Sequence, residues 1–166
     1  MAPFTSLVAR RVLSWAVAPV AALILAGQPQ AANHSALTLS ESALLAVMNE
    51  ARAASHVPPL HADTRLERAA RAHSSAMLRS GSFSHGAVGA RIRRVGVKAP
   101  RVGENLAWGV GQMARARSIV RMWLSSPAHR RNLLDPRFRL VGVGAVQGRF
   151  SGYSGATMIT TDFAGS

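Results

Sequence analysis

Residues 140–146 read Leu-Val-Gly-Val-Gly-Ala-Val, and this stretch decides the fold class. Apolar residues alternate there with glycine, a period of two that predicts a β-strand. Residues 156–163, Ala-Thr-Met-Ile-Thr-Thr-Asp-Phe, have the composition of a second strand. Only the glycine-bounded segment 148–155 separates the two. The end of the chain is therefore predicted to be an antiparallel pair of strands.

Helical patterns occupy most of the chain before these strands. Thr38 and Glu41 have the spacing of a capping box, and they predict a first helix over residues 39–54. Asp63 is expected to cap a second helix, which should end at Gly81 because glycine readily adopts the left-handed conformation that closes helices.

Further elements follow before the strands begin. The glycine-rich segment 103–111 predicts a loop or a short extended piece. Three shorter helices are predicted: residues 90–95, residues 113–125, and one started by Ser126 and Pro127. Many helices and a late antiparallel pair favour an α+β fold with helices packed on a small sheet.

The amino terminus has the pattern of an export signal. Arg10 and Arg11 form a basic head, residues 12–27 are mostly apolar, and small and polar residues follow. We therefore expect a signal peptide and short leader over residues 1–32 and a protein that is secreted or periplasmic. An uncleaved anchor is the alternative. A linker over 33–38 and one domain over 39–166 complete the expected organisation.

The charge and the absence of cysteine limit the classes of function. The chain has 20 basic residues against 7 acids, a net charge of +13, and removing Arg10 and Arg11 leaves +11. Such a charge favours anionic surfaces. No aromatic residues interleave with the arginines as base-stacking platforms would, so dedicated nucleic-acid binding is not expected. The lack of cysteine excludes disulfides, thiolate metal sites and a cysteine nucleophile.

Three residues are candidates for a functional site. His85 lies in a predicted loop next to glycine, and the alternative is an ordinary surface histidine. Glu104 lies beside an apolar run, where burial would demand a partner, and an ion pair with an arginine such as Arg101 is the alternative. His129 falls in the first turn of a predicted helix, where the helix dipole favours neutral imidazole, although it could simply cap that helix. His73, on the apolar stripe of the second helix, is expected to be a buried, hydrogen-bonded structural residue.

Five motifs in order resemble a known family. They are Phe83-Ser84-His85, Gly103-Glu104-Asn105-Leu106-Ala107, Trp123, residues 126–134 (Ser-Pro-Ala-His-Arg-Arg-Asn-Leu-Leu), and Val141-Gly142-Val143-Gly144 before a last strand. This succession resembles the CAP superfamily, the cysteine-rich secretory, antigen five and pathogenesis-related proteins (SCP domain), in a bacterial form without cysteines. The resemblance spans residues 44–163. It implies a three-layer α-β-α sandwich with a small central antiparallel sheet between helices.

The resemblance also implies a cleft. Many members form it from two histidines and two glutamates, sometimes with zinc or another divalent ion. His85, Glu104 and His129 match three of the four, whereas Ser126 stands where the second glutamate should be. Zinc or another divalent ion is therefore expected to bind with modest affinity. Asn105 and Ser126 are possible accessory residues.

Three functions follow from these observations. The preferred one is a secreted, non-catalytic domain that binds a small molecule, lipid or envelope ligand, with or without a metal ion, and acts as a monomer. The first alternative is a hydrolase, a protease or esterase, that uses metal-bound water or Ser84 or Ser126 beside His129. The second is a protein that binds lipid or anionic surfaces through its positive charge.

Overall fold

The computed structural model describes residues 38–166, so the predicted signal peptide and most of the predicted linker lie outside the described residues. The described part contains five α-helices and four strands. The helices are α1 (Leu39–Ala54), α2 (Thr64–Ser80), α3 (Val88–Arg94), α4 (Ala116–Ser125) and α5 (Pro127–Leu133), with a 3₁₀ turn at Gly111–Ala114. The strands are β1 (His61–Ala62), β2 (Arg101–Gly109), β3 (Phe138–Phe150) and β4 (Tyr153–Gly165).

The four strands form one sheet in the order β1-β3-β4-β2. β3 and β4 form the predicted antiparallel pair, and β2 joins the other edge of β4, also antiparallel. The two-residue β1, which the sequence did not predict, pairs with β3 in parallel. Of the two alternatives left open for 103–111, the extended one is confirmed and the loop was wrong, because residues 101–109 pair with β4 along their whole length.

The sheet lies between two helical layers. On one face, α1, α4 and α5 bury Met48, Trp123 and Leu133 against side chains of β3 and β4 such as Val143 and Phe163. On the other face, α2 and α3 bury Leu66 and Ile92 against Ala164. This is the expected α+β, three-layer α-β-α sandwich. Within residues 38–166 none of the helices combines the length and apolar character that crossing a bilayer requires.

Local signals set the helix ends, as predicted for the first two helices. The Thr38 hydroxyl accepts from the Glu41 amide at 3.3 Å, while the Glu41 carboxylate accepts from the Thr38 amide at 2.8 Å. Asp63 caps α2, and Gly81 closes it with a φ of 64°. At α5 the prediction holds only in part: the helix begins at Pro127, but the Ser126 hydroxyl makes no capping bond.

Two helices differ from their predicted bounds. α3 begins at Val88 and ends at Arg94 instead of covering 90–95. The predicted helix over 113–125 is divided into the 3₁₀ turn and α4, because Arg115 between them has extended backbone angles.

Candidate functional site

The predicted pair of His85 and Glu104 is in direct contact. His85 lies in the loop between α2 and α3, and its Nδ1 is 2.6 Å from Oε1 of Glu104 on β2. The His85 side chain is 58% exposed, whereas that of Glu104 is 1% exposed. The buried carboxylate thus fixes an imidazole at the surface and leaves its Nε2 available.

Arg91 on α3 is the third member of this cluster, and sequence reasoning missed it. Its guanidinium contacts Oε2 of Glu104 and bonds Asp162 of β4 through Nη2 at 2.9 Å and Nε at 3.3 Å. It also donates to the carbonyl of His85 at 3.2 Å. The alternative that the sequence offered for Glu104, an ion pair with an arginine, is therefore confirmed, although the partner is Arg91 and not Arg101.

The strand register explains why these groups meet. Glu104 and Asp162 are directly opposite each other in the β2–β4 pair, so their side chains emerge on the same face of the sheet. α3 covers that face and brings one guanidinium to both carboxylates. On α5, Asn132 donates to the Glu104 carbonyl at 2.9 Å and holds the strand in place.

His73 borders the same cluster. Its Nε2 donates to the Ser84 carbonyl at 2.9 Å, which agrees with the prediction of a hydrogen-bonded structural histidine. The same nitrogen lies 3.7 Å from Oε2 of Glu104. Burial and the charge of Arg91 lower the pKa of His73, so the imidazole is held neutral.

His129 lies near the pair without touching it. Among the described residues its Nδ1 is buried and has no hydrogen-bond partner. Burial, and then the charge of His85, lower the pKa of His129. Its ring forms no hydrogen bond with Glu104 or His85 in the described part of the chain; instead its carbonyl accepts from the fully buried Asn105 at 3.0 Å.

Of the two accessory candidates, Asn105 is a positioning residue. Besides holding the His129 backbone, it accepts from Asn132 at 3.1 Å, and its carbonyl accepts from the Thr161 hydroxyl at 3.0 Å. Ser126 is half-buried just before α5, and its hydroxyl forms no hydrogen bond within residues 38–166.

Burial and shared charge raise the pKa of Glu104 to about 7. Desolvation is the largest cause; Arg91 and the bond to His85 partly offset it, and Asp162 adds to it. Burial likewise raises the pKa of Asp162. One guanidinium serves two buried carboxylates, so ionising both is unfavourable.

Glu104 is therefore expected to make stability depend on pH. Its folded pKa lies above the usual 4.5, so its contribution is complete below about pH 4.5 and is lost as the pH rises through about 7. Relative to Glu104→Gln, the wild type should lose roughly 2 kcal/mol of unfolding free energy between pH 5 and pH 8. Urea unfolding at both pH values measures this, with the exposed Glu50→Gln as control. An identical pH dependence in wild type and Glu104→Gln would contradict the assignment.

The arrangement does not fit a divalent ion held by Glu104. Both of its oxygens are engaged, one by His85 and one by Arg91, so an internal cation stands beside the carboxylate. Residues 38–166 contain no group of three or more histidine and acidic side chains arranged to hold a metal. Metal binding through the two imidazoles alone stays a prediction.

A large cavity of the described part lies elsewhere. It has a volume of about 840 Å³ and is lined mainly by apolar groups of α1, the start of α4 and the sheet, among them Leu44, Val47, Ala145 and Ile159. Neither histidine nor a carboxylate lines it. It is therefore no part of the acid–base cluster, and sequence reasoning did not foresee it.

Comparisons with known proteins agree with the fold. Residues 45–163 match the family described as CAP, the cysteine-rich secretory protein family. The uncharacterized protein YkwD of Bacillus subtilis is 30% identical over 118 residues, 68% of this chain and 45% of its own length. This chain thus spans less than half of that relative.

Solved structures extend the comparison. An extracellular SCP-domain protein from Bacillus anthracis has a TM-score of 0.63 and 27% identity, covering 76% of this chain and 40% of its own. An outer surface protein from Borrelia burgdorferi has a TM-score of 0.63 and 20% identity, covering 74% and 89%. The second likeness shows the fold alone.

Proposed function

The chain belongs to the CAP family of cysteine-rich secretory proteins, and we propose that it is an exported, non-catalytic domain whose cleft at His85 and His129 binds a polar group of an envelope ligand. The similar B. anthracis protein is described as extracellular, which supports export.

The observation that carries the proposal is the way in which the two imidazoles are presented. Glu104 holds His85 by Nδ1, which fixes the direction of the exposed Nε2. His129 contributes a buried Nδ1 without a partner among the described residues. The His129 side chain as a whole is only half-buried. A buried polar atom without a hydrogen bond costs about 1–3 kcal/mol, and a rotation of the ring that brought Nδ1 to a ligand atom would recover it. The pair suits a ligand with adjacent hydrogen-bonding groups.

The hydrolase alternative has less support. A serine nucleophile needs a hydroxyl bonded to a histidine base, and no such bond occurs within residues 38–166. Ser84 reaches His73 only through its carbonyl. For the metal version, Glu104 would have to act as the base, yet it is bound by Arg91.

Binding to purified cell-wall sacculi tests the proposal. We expect co-sedimentation of the exported protein to weaken roughly 5- to 100-fold in His85→Ala and in His129→Ala, because each removes one imidazole of the proposed cleft. His61→Ala, an exposed histidine on β1, is the matched control and should bind like the wild type. Equal losses in all three variants would refute a specific role for the cleft. Ester hydrolysis that disappears in His85→Ala would instead establish the hydrolase.

Zinc titration calorimetry examines the metal prediction separately. Because Arg91 already neutralises Glu104, zinc affinity should be weak, and both His85→Ala and His129→Ala should abolish it. Glu104→Gln should change it less. Binding should also fail as the pH falls through about 6.5, where imidazoles take up protons. Zinc binding that survives both histidine changes would contradict these ligands.

A further inference from the structure

One end of the sheet carries exposed apolar side chains. Of the five large apolar side chains exposed in the described part, three belong to segments that meet there: Phe83 is 45% exposed, Met113 67% and Tyr153 53%. β3 turns into β4 at this end, β2 ends there, and the loop after α2 passes alongside. Single exposed apolar residues are ordinary, but a cluster indicates a contact surface.

The exposed rings pack against other aromatic side chains. The ring of Phe83 lies 6.4 Å from that of Phe150, which is only 7% exposed. Phe150 packs edge-on against Trp108 at 5.2 Å, and Tyr153 lies 6.0 Å from Trp108. Met113 lies at the same end of the sheet, since its backbone carbonyl carbon is 2.9 Å from where a Cβ on Gly109 would be. Phe83 and Tyr153 are thus held at the surface by packing against Phe150 and Trp108.

The segments that meet at this end carry basic residues and no acid. Residues 78–83, 108–115 and 147–157 contain Arg79, Arg115 and Arg149 and no acid. Within residues 38–166 none of the three arginines forms a salt bridge. All seven carboxylates lie within salt-bridge distance of arginines elsewhere.

We propose that this sheet end docks on an anionic lipid bilayer. Phe83, Met113 and Tyr153 would enter the headgroup region, where aromatic rings and apolar side chains are favourable. Arg79, Arg115 and Arg149 would bind lipid phosphates, each contributing about 1 kcal/mol near an anionic surface.

A bilayer fits this end better than other partners do. Phenylalanine and methionine offer no polar group to sugar hydroxyls, which argues against an envelope glycan. A second copy of the chain would bring two uncompensated basic ends together, which like-charge repulsion opposes. The proposal is independent of the cleft function, although the loop that carries Phe83 also carries His85.

Vesicle co-sedimentation of the exported protein tests the proposal. We expect it to bind phosphatidylcholine–phosphatidylglycerol vesicles at least about tenfold more tightly than phosphatidylcholine vesicles. Two triple variants should each lose at least about tenfold on the anionic vesicles: Phe83→Ser/Met113→Gln/Tyr153→Ser and Arg79→Gln/Arg115→Gln/Arg149→Gln. Trp108 emission should move to shorter wavelength on binding, whereas Trp123, fully buried, has no new environment to report.

Matched controls separate the surface from the total charge. Met122→Gln removes another exposed methionine, and Arg68→Gln/Arg130→Gln/Arg131→Gln removes the same charge from α2 and α5. The vesicle affinity of both should lie within about threefold of that of the wild type. His85→Ala should also keep its vesicle affinity, because its loss of sacculus binding concerns the cleft alone. Circular dichroism melting confirms that each variant is folded. Three outcomes would overturn the proposal. The arginine control could lose as much vesicle binding as the arginine triple variant, or the wild type could show no preference for anionic vesicles. The apolar triple variant could also lose sacculus binding while it keeps vesicle binding.

Discussion

Replacing Gly144 with alanine is expected to remove at least about 3 kcal/mol of unfolding free energy. β3 and α2 meet here backbone to backbone: a Cβ on Gly144 would lie well under 3.0 Å from Arg71 N and Ala70 C. These are atoms of a helix, so no flexible side chain can move aside. The helix would have to shift away from the sheet, which would open the packing around Leu66 and Met77. The cost should therefore reach or exceed the 1–3 kcal/mol usual for overpacked cores.

Urea unfolding of Gly144→Ala measures this loss. Gly89→Ala is the matched control, because a Cβ there would meet the end of the Arg93 side chain at 3.2 Å and Val102 Cγ2 at 4.0 Å, both side-chain atoms. Gly89 lies inside α3, where alanine is the better helix former, so this variant should be as stable as the wild type or slightly more stable. If the unfolding free energy of Gly144→Ala lay within about 1 kcal/mol of that of the wild type, close helix–sheet contact would not be the reason for glycine at this position.

The strand that contains Gly144 shows what the sequence could predict about the fold. Alternation over residues 140–146 predicted the strand, since a period of two is a local signal. Thr38, Glu41, Asp63 and Gly81 predicted the helix ends for the same reason, because caps act within one turn. For 103–111 the sequence left a loop and an extended piece open, since the strand over 101–109 comes from pairing with β4 and not from the residues themselves.

The candidate site could also be predicted only in part. His85 and Glu104 were recognisable from their motifs, and they form a hydrogen-bonded pair. Arg91 and Asp162 were not, because only the β2–β4 register and the position of α3 bring them to Glu104. One signal was present in the sequence: Asp162 stands inside the predicted strand 156–163, where a buried carboxylate requires a cation.

Replacing Arg91 with methionine is expected to cost about 3–5 kcal/mol at pH 8. Methionine keeps much of the apolar volume but leaves Glu104 and Asp162 buried without a cation, and breaking one partner from a buried ion pair has this effect. The side chains of the two carboxylates are 1% and 0% exposed, so water cannot replace the guanidinium. Arg137→Met is the control, because Arg137 pairs with Asp135 while its own side chain is 54% exposed. That variant should lose less than about 1 kcal/mol.

Acid should relieve much of the Arg91→Met defect. With the guanidinium gone, both carboxyl groups would take up protons more readily, so the loss should shrink between pH 8 and pH 5. Combining Arg91→Met with Glu104→Gln and Asp162→Asn should likewise reduce the loss of stability at pH 8, because neutral amides can be buried without a counter-ion. A mutant cycle measures the coupling between Arg91 and the two carboxylates. It compares the unfolding free energies of the wild type, Arg91→Met, Glu104→Gln/Asp162→Asn and the triple variant by chemical denaturation. A loss of equal size at both pH values, unchanged by the two amide substitutions, would mean that Arg91 stabilises the fold by packing and not as the cation of the cleft.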